Sequence, residues 1–441
     1  MPAICVALPL QDASLCYEVT NPISGTKIMK TCFLTIVSAN YLAYARVLAD
    51  SLSHHHDGEL QVLIVDRATV QVRAAVEKSG LHCVYAEELG LPDFERLAYK
   101  YDILELNTAL KPSFLKLLFS KGFEQAIYLD PDIQVHAPLL PVMAALEKSE
   151  IVLTPHALKP VMDGLRPSEI DYLRGGTFNL GFIALRKGPD SLALLDWWES
   201  RCLGQGFNDQ AFGTFVDQKW LELAPSFFDS VCILRDAGCN VAYWNLHERQ
   251  LEQANGSIFV NGVPLCFFHF SGVNAQQPQQ LSKYQSRHQL LSGTVLHSMV
   301  KNYCDALLAA GHEQAMKLRY TFSTLDNGTP ITPTMRRALL VSQFDEQQPF
   351  AAASPLQLQL DAAGLKPSSH RMTHAATTAA NFDQNSLQVR AINFLVRLLG
   401  RLLGIERLIQ LTRYGALLNR EAHLASVLLK RPLDFKHRLR R

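Results

Sequence analysis

The feature that most constrains the fold is a rhythm of continuous apolar runs separated by amphipathic stretches. Residues 32–37 (CFLTIV), 60–66 (LQVLIVD) and 81–89 (LHCVYAEEL) read as buried strands. After the first run, the polar turn Ser38, Ala39, Asn40 leads into a helical face carrying Tyr41, Leu42, Ala45, Leu48, Ala49 and Leu52, and VQVRAAVEKSG is helical after the second. Strands apolar throughout are covered on both faces, and strand–helix alternation feeds parallel pairing. The expectation is an α/β fold, Rossmann-like, with a mainly parallel sheet flanked by helices. At 441 residues and 48% hydrophobic, the chain can bury such a core and still carry an appendage.

Residues 126–135, AIYLDPDIQV, form another apolar run, and this one breaks into Asp130 and Asp132. Carboxylates at the carboxyl end of a strand sit where α/β sheets bind ligands, and two of them can hold a divalent cation against a diphosphate. An isolated Asp-x-Asp is also an ordinary strand-to-turn junction, since Asp and Pro both favour turns.

Around that run, residues 94–119 read as helical with a break at Lys111-Pro112, and Lys111 and Lys116 face either a phosphate or solvent. Residues 151–156 and 175–186 (GGTFNLGFIALR) read as strands; glycine in the second allows close ligand approach or a bulge. A polar loop, GQGFNDQAF, delivers Asn208, Asp209 and Gln210, where an Asp often serves only as an N-cap. Short strands are expected within 231–245 and 264–272 (PLCFFHFSG), the latter ending in His269, which on its own reads as a core histidine. Residues 281–318 read as helical, and a turn at Asn327-Gly328 precedes another helix start. The triple His54, His55, His56 reads as cations at a helix's negative end rather than a metal site.

Four units follow: a lead-in over 1–27, the main domain over 28–345, a linker over 346–387 rich in Gln, Ala, Ser, Thr and Pro, and a tail over 388–441. The formal net charge of +1 hides an asymmetry, because the tail holds twelve Lys or Arg against three Asp or Glu. At helical spacing Arg390, Arg397 and Arg401 fall within about 40° of one another, opposite Ile392, Leu395, Leu399, Leu402 and Ile409. Such a helix docks on a protein or lies on an anionic membrane. Aromatic residues are sparse in the tail, which argues against nucleic acid.

No window approaches the roughly 20 apolar residues of a membrane span, and MPAICVALPLQD lacks the basic n-region of a secretory signal. Nine scattered cysteines with no Cys-x-x-Cys pair argue for reduced thiols in a cytosol and against zinc.

Taken together, SANY (38–41), YLDPDIQV, FNLGF (178–182), the Asn-Asp-Gln loop and FHFSG resemble nucleotide-sugar-dependent glycosyltransferases of the GT-A fold. Family 8, which includes glycogenin and the lipopolysaccharide galactosyltransferases, is the nearest likeness, over roughly residues 28–320; FVDQKWLEL, NVAYWNL and FFHFSG also resemble its bacterial branch. The resemblance implies that Asp130, Asp132 and His269 (opening His-x-x-Gly) hold Mn²⁺ or Mg²⁺. It implies that Ser38, Asn40, Tyr41 and Asp66 bind the nucleotide, that Asn179 lies near the donor sugar, and that Asp209 and Gln210 face donor sugar and acceptor. The family's His-x-x-Gly runs on into Lys-Pro-Trp, whose lysine holds the diphosphate; here Val273-Asn274-Ala275 follows, with Lys283 or Arg287 as stand-ins.

The expected activity is transfer of a sugar from a nucleoside-diphosphate donor, UDP-linked, to a hydroxyl of a glycan or glycolipid at the cytosolic face of a membrane, in cell-surface polysaccharide synthesis. Two carboxylates and an imidazole suit Mn²⁺ slightly better than Mg²⁺. An inverting reaction would use Asp209 as base; a retaining one, toward which His-x-x-Gly tilts, would use Gln210 to steady an oxocarbenium-like sugar. A nucleotidyltransferase or a scaffold on a decayed transferase fold are the rivals. The first would carry a glycine-rich loop after its first strand, and SANYLAYAR has no glycine.

Overall fold

The computed structural model describes residues 29–341, 348–365 and 387–430. The lead-in over 1–27, most of the expected linker and the last eleven residues of the tail lie outside the described residues.

In chain order the strands are β1 (Thr31–Val37), β2 (Leu60–Ile64), β3 (His82–Tyr85), β4 (Gln125–Leu129), β5 (Ile133–Val135), β6 (Ile151–Pro155), β7 (Phe178–Arg186), β8 (Asn208–Asp209), β9 (Thr214–Phe215), β10 (Val231–Ile233), β11 (Leu251–Ala254), β12 (Ser257–Val260), β13 (Val263–Pro264) and β14 (Phe267–His269). Seven form the central sheet in the order β10-β6-β7-β4-β1-β2-β3. Pairing is parallel for β3/β2, β2/β1, β1/β4 and β6/β10, and antiparallel where β7 lies between β4 and β6. The sheet is therefore mainly parallel, as the strand–helix rhythm implies.

Both faces are covered. Along β1, Cys32, Leu34 and Ile36 join one apolar cluster, with Phe114, Trp198 and Phe322; Phe33 and Val37 join the other, with Leu48, Val142 and Phe267. This two-sided burial is why the runs carry no polar alternation. A third cluster lies under β14, where Phe268, Phe270 and Tyr303 pack with the helix Val295–Ala309.

Three expectations need adjusting. Residues 281–294 are not helical: the helix begins at Val295 behind Thr294, whose side chain caps it, and Gly293 sits at φ 84°. Between 231 and 245 only β10 is a strand; the rest turns through Asp236 to Asn245. Within the stretch read as linker, the helix Pro355–Ala362 buries Leu356 and Leu360, and Gln357 donates to the Tyr99 hydroxyl at 2.9 Å.

The tail is helical as expected: Leu387–Leu403, Ile405–Leu418 and Glu421–Leu429. Its three helices differ in role. The last buries Ala422 and Ala425 beside the helix Pro333–Ala338, whereas the first two pair with each other and leave Ile392, Leu395, Leu402 and Ile409 exposed.

Candidate metal and nucleotide site

The strand β4 stops at Leu129 because Asp130-Pro131-Asp132 makes a tight turn, the amide of Ile133 bonding back to the Asp130 carbonyl at 3.0 Å. The chain then re-enters as β5, antiparallel to β14, with His269 opposite Ile133. The amide of Phe270 bonds the Asp132 carbonyl at 2.8 Å, which fixes β14 against the aspartate turn. That pairing brings a residue 137 positions downstream to Asp132. His269 Nε2 lies 2.9 Å from Asp132 Oδ1 and 3.8 Å from Asp130 Oδ2, and one ligand atom from each of the three lies within 4.8 Å of the other two.

Gly181 completes the cradle. Its amide neighbourhood is held by Asp130, whose N–H bonds the Gly181 carbonyl at 2.7 Å, and a Cβ there would come within 2.3 Å of His269 Cε1. Only a hydrogen leaves the imidazole room.

Charge is balanced locally. Burial draws the His269 pKa down, but Asp132 and then Asp130 outweigh it, so the net shift is upward. Burial raises the Asp130 pKa, opposed by Lys111 and His269. The donor set fits a divalent cation: two carboxylates and an imidazole converge, Tyr128 donates to Asp130 Oδ1 at 2.5 Å, and a positive charge is the group that would satisfy both acids at once.

Beside the cradle, the turn after β1 presents Ser38, Asn40 and Tyr41. Ser38 is buried and accepts from Asn107 Nδ2 at 3.0 Å; Asn40 Oδ1 is buried with no hydrogen-bond partner among the described residues. Tyr41 is 38% exposed and stacks on Tyr44 at 4.5 Å; burial, then Asp132 and Tyr284, push its pKa up to about 12. Asp66 is spoken for: Oδ2 accepts from the Ala39 amide at 2.8 Å and Oδ1 from Thr321 N and Oγ1, both at 2.7 Å. These bonds tie the turn after β1 to the segment at Thr321.

Asn179 is equally engaged, accepting from Asn240 Nδ2 at 3.1 Å and from the Gly181 amide at 3.2 Å, while its Nδ2 lies 3.3 Å from His156 Nε2. Lys283 is exposed, and its amide lies 3.4 Å from the Gly272 carbonyl, so the structure sets it beside the His-x-x-Gly turn. Arg287 is committed elsewhere: Nε lies 2.5 Å and Nη2 3.0 Å from the Asp163 carboxylate, which they hold well below the usual range.

Asp209 and Gln210 sit apart from the sheet, on the hairpin β8/β9. Gln210 is exposed, and Asp209 Oδ2 accepts from Arg420 Nε at 2.6 Å. The Arg420 guanidinium covers the Phe212 ring at 4.1 Å.

No protein-family profile matches the chain. It is similar to the uncharacterized protein YfnF of Bacillus subtilis (strain 168), 27% identical over 250 residues that cover 55% of this chain and 82% of YfnF. YfnD of the same organism is 26% identical over 245 residues, 54% of this chain and 77% of YfnD. Among solved structures, the galactosyltransferase LgtC with donor and acceptor sugar analogs gives TM-score 0.37 at 16% identity, over 65% of this chain and 99% of LgtC. The glycosyltransferase GlyE of Streptococcus pneumoniae TIGR4 gives 0.35 at 14%, over 67% of each chain. Agreement this loose carries no weight for fold or chemistry.

Two residues escaped the sequence reading. Lys111 is neither solvated nor free for a phosphate: it is buried, its Nζ lying 2.6 Å from Asp217 Oδ2 and donating to the Leu180 carbonyl at 2.6 Å, beneath the Tyr128 ring. A lysine on the apolar side of a Lys-Pro helix start is the signal that marks it. Arg420 left no such signal, since nothing local ties a tail arginine to a loop 211 positions earlier. Lys116, by contrast, pairs with Glu199 at 2.6 Å and Asp196 at 2.9 Å on the helix surface.

Proposed function

We propose that the protein is a GT-A glycosyltransferase that, with Mn²⁺ or Mg²⁺, moves a sugar from a nucleoside-diphosphate donor, UDP-linked, to a hydroxyl of a glycan or glycolipid in cell-surface polysaccharide synthesis. One observation carries the reading: Asp130, Asp132 and His269, from two segments far apart in sequence, converge on one point beside the turn after β1.

In this reading Asp130, Asp132 and His269 hold the cation. Bound there, it supplies charge neutralisation for a departing diphosphate. Asn40 and the backbone of residues 38–41 take the base and ribose, Tyr41 offers its exposed ring, and Lys283 meets the diphosphate. Asn179 is held by Asn240 to face the donor sugar. Asp209 and Gln210 face sugar and acceptor. A carboxylate already bonded to a guanidinium is poorly placed to take an acceptor's proton, so the Arg420 contact supports Asp209 as a binding group and a retaining outcome.

The tail is the membrane contact. Arg390, Arg397, Arg401, Arg407 and Arg413 are exposed on the first two tail helices with their unpartnered apolar residues, which suits an anionic surface. Among the described residues no helix is long and apolar enough to cross a membrane. Liposome binding should fall with added salt and vanish when residues 388–441 are removed; salt-insensitive recovery without lipid would contradict it.

The decisive screen is release of UDP or GDP from a panel of nucleotide sugars with Mn²⁺. Release lost in Asp132→Ala supports the reading. Silence across the panel, with no UDP binding, would favour a scaffold.

A further inference from the structure

Behind the cradle a second cluster of ligand-type side chains has no part in the proposed reaction. Asp236, Cys239 and Cys266 each offer one donor atom within 4.8 Å of the other two. Both thiols are buried, at 1% and 3% exposure, and the carboxylate stands at the half-buried edge. A tetrahedral zinc with bonds of about 2.3 Å to sulfur and about 2.0–2.2 Å to oxygen needs donors 3–4 Å apart, which a contraction of under about 1 Å would supply.

The backbone around these donors is held independently. Asp236-Ala237-Gly238-Cys239 is a tight turn in which Asp236 Oδ1 accepts from the Gly238 amide at 2.8 Å, which anchors the carboxylate on the turn that carries Cys239. A Cβ on Gly238 would meet the Pro264 carbonyl at 2.0 Å, so glycine lets the segment between β13 and β14 that bears Cys266 close over the turn. The amide of Cys266 then bonds the Gly238 carbonyl at 2.8 Å. Cys266 Sγ has long contacts, 3.7 and 3.9 Å to the carbonyls of Pro138 and Pro264, and shares a hydrogen bond with the Cys239 thiol, which a metal bridging both sulfurs would replace.

Charge supplies the second argument. Two thiolates, one carboxylate and a divalent ion leave a net charge of −1. Arg249, 5% exposed, bonds the carbonyls of Ala237 at 2.8 Å and Cys239 at 2.7 Å, and its closest acid, Glu248, is 3.9 Å away. A buried guanidinium on the same turn, weakly paired otherwise, is the countercharge such a site requires.

Although the scattered cysteine spacing points away from zinc, the fold brings two thiols 27 positions apart together, and we propose that Asp236, Cys239 and Cys266 form a second metal site, selective for Zn²⁺ through its thiolates, with water in the fourth position. Thiolate ligands favour zinc over the Mg²⁺ or Mn²⁺ of the first cradle. Its place defines its role. Asn240, next to Cys239, donates to Asn179 at 3.1 Å, and the Val241 carbonyl accepts from the His269 amide at 2.8 Å. Zinc would tie the two segments that position Asn179 and His269.

The test uses the full-length reduced protein, freed of metal by dialysis and titrated with Co²⁺ and Zn²⁺ alone, so it is independent of any transferase activity. The expected result is a thiolate-to-cobalt charge-transfer absorption that saturates at one ion per chain, beside whatever the first cradle takes up, and that is retained in Asp132→Ala but lost in Cys239→Ser and Cys266→Ser. Absence of the thiolate band in the unmutated protein overturns the proposal even if the serine variants fail to fold. So does zinc stoichiometry that is unchanged in those variants or lost in Asp132→Ala.

Discussion

The cradle at Asp130, Asp132 and His269 and the hairpin at Asp209 are built in opposite ways. The cradle hangs on the sheet: its aspartates follow a fully buried strand, its histidine is registered against β5, and Gly181 leaves the imidazole one place to be. The hairpin has two strands of two residues each, and the Asp209 carboxylate is paired with a residue from the tail. A carboxylate–imidazole cluster fixed by the sheet is thus set against a hairpin whose acid is held by a distant helix. The core fixes the first cluster and an appendage holds the second.

That contrast can be broken at several points. The largest effect is expected at Lys111→Met, which leaves Asp217 buried without its partner; breaking such a pair costs about 3–5 kcal/mol, read as a denaturant midpoint shift at constant slope. A variant of unchanged stability would mean that the pair does not brace the cradle.

Next is Gly181→Ala. The added methyl would overlap His269, so a loss of about 1–3 kcal/mol together with weakened Mn²⁺ binding is expected. Lost stability with intact Mn²⁺ affinity would show that His269 is not a ligand.

A pH titration should show two opposite slopes. The folded pKa of His269 is raised, so the protonated form's contribution to metal-free stability is full below the unfolded value of about 6.5 and is lost as pH rises through the higher folded value. Mn²⁺ needs the neutral imidazole, so its affinity should rise over the same window, up to tenfold (about 1.4 kcal/mol) per pH unit. Parallel slopes would contradict the assignment.

The smallest effect is expected at Arg420→Ala. Its ion pair is partly exposed, so stability should change by under about 1 kcal/mol, with Mn²⁺ and UDP affinities unchanged. A large loss of either affinity would mean that the hairpin and the cradle are one unit.

Particular residues explain what was legible in the sequence. The strands showed because 32–37, 60–64 and 126–129, Thr35 and Gln61 apart, are apolar on both faces, which only a covered sheet tolerates. The direction of β7 did not: all but the last of its nine residues are buried, so it looks the same in either orientation. The cradle was readable because the Asp-x-Asp turn and His-x-x-Gly are compact motifs. The burial of Lys111 left only a faint local mark, a lysine on the apolar side of a helix start, and the reach of Arg420 depends on tertiary packing that no window of sequence reports. Residues 281–294 misled because scattered Leu, Tyr and Gln mimic a helical face until Ser292-Gly293 interrupts it.

The central claim is that Asp130, Asp132 and His269 join a divalent cation to a nucleoside diphosphate. Calorimetry of UDP with the full-length protein, with and without Mn²⁺, tests it most directly. Binding should require Mn²⁺ and fall at least about 100-fold in Asp132→Ala, since even outer-shell changes cost metal sites about 10–100-fold. UDP bound equally well without Mn²⁺, or by Asp132→Ala, would contradict the account.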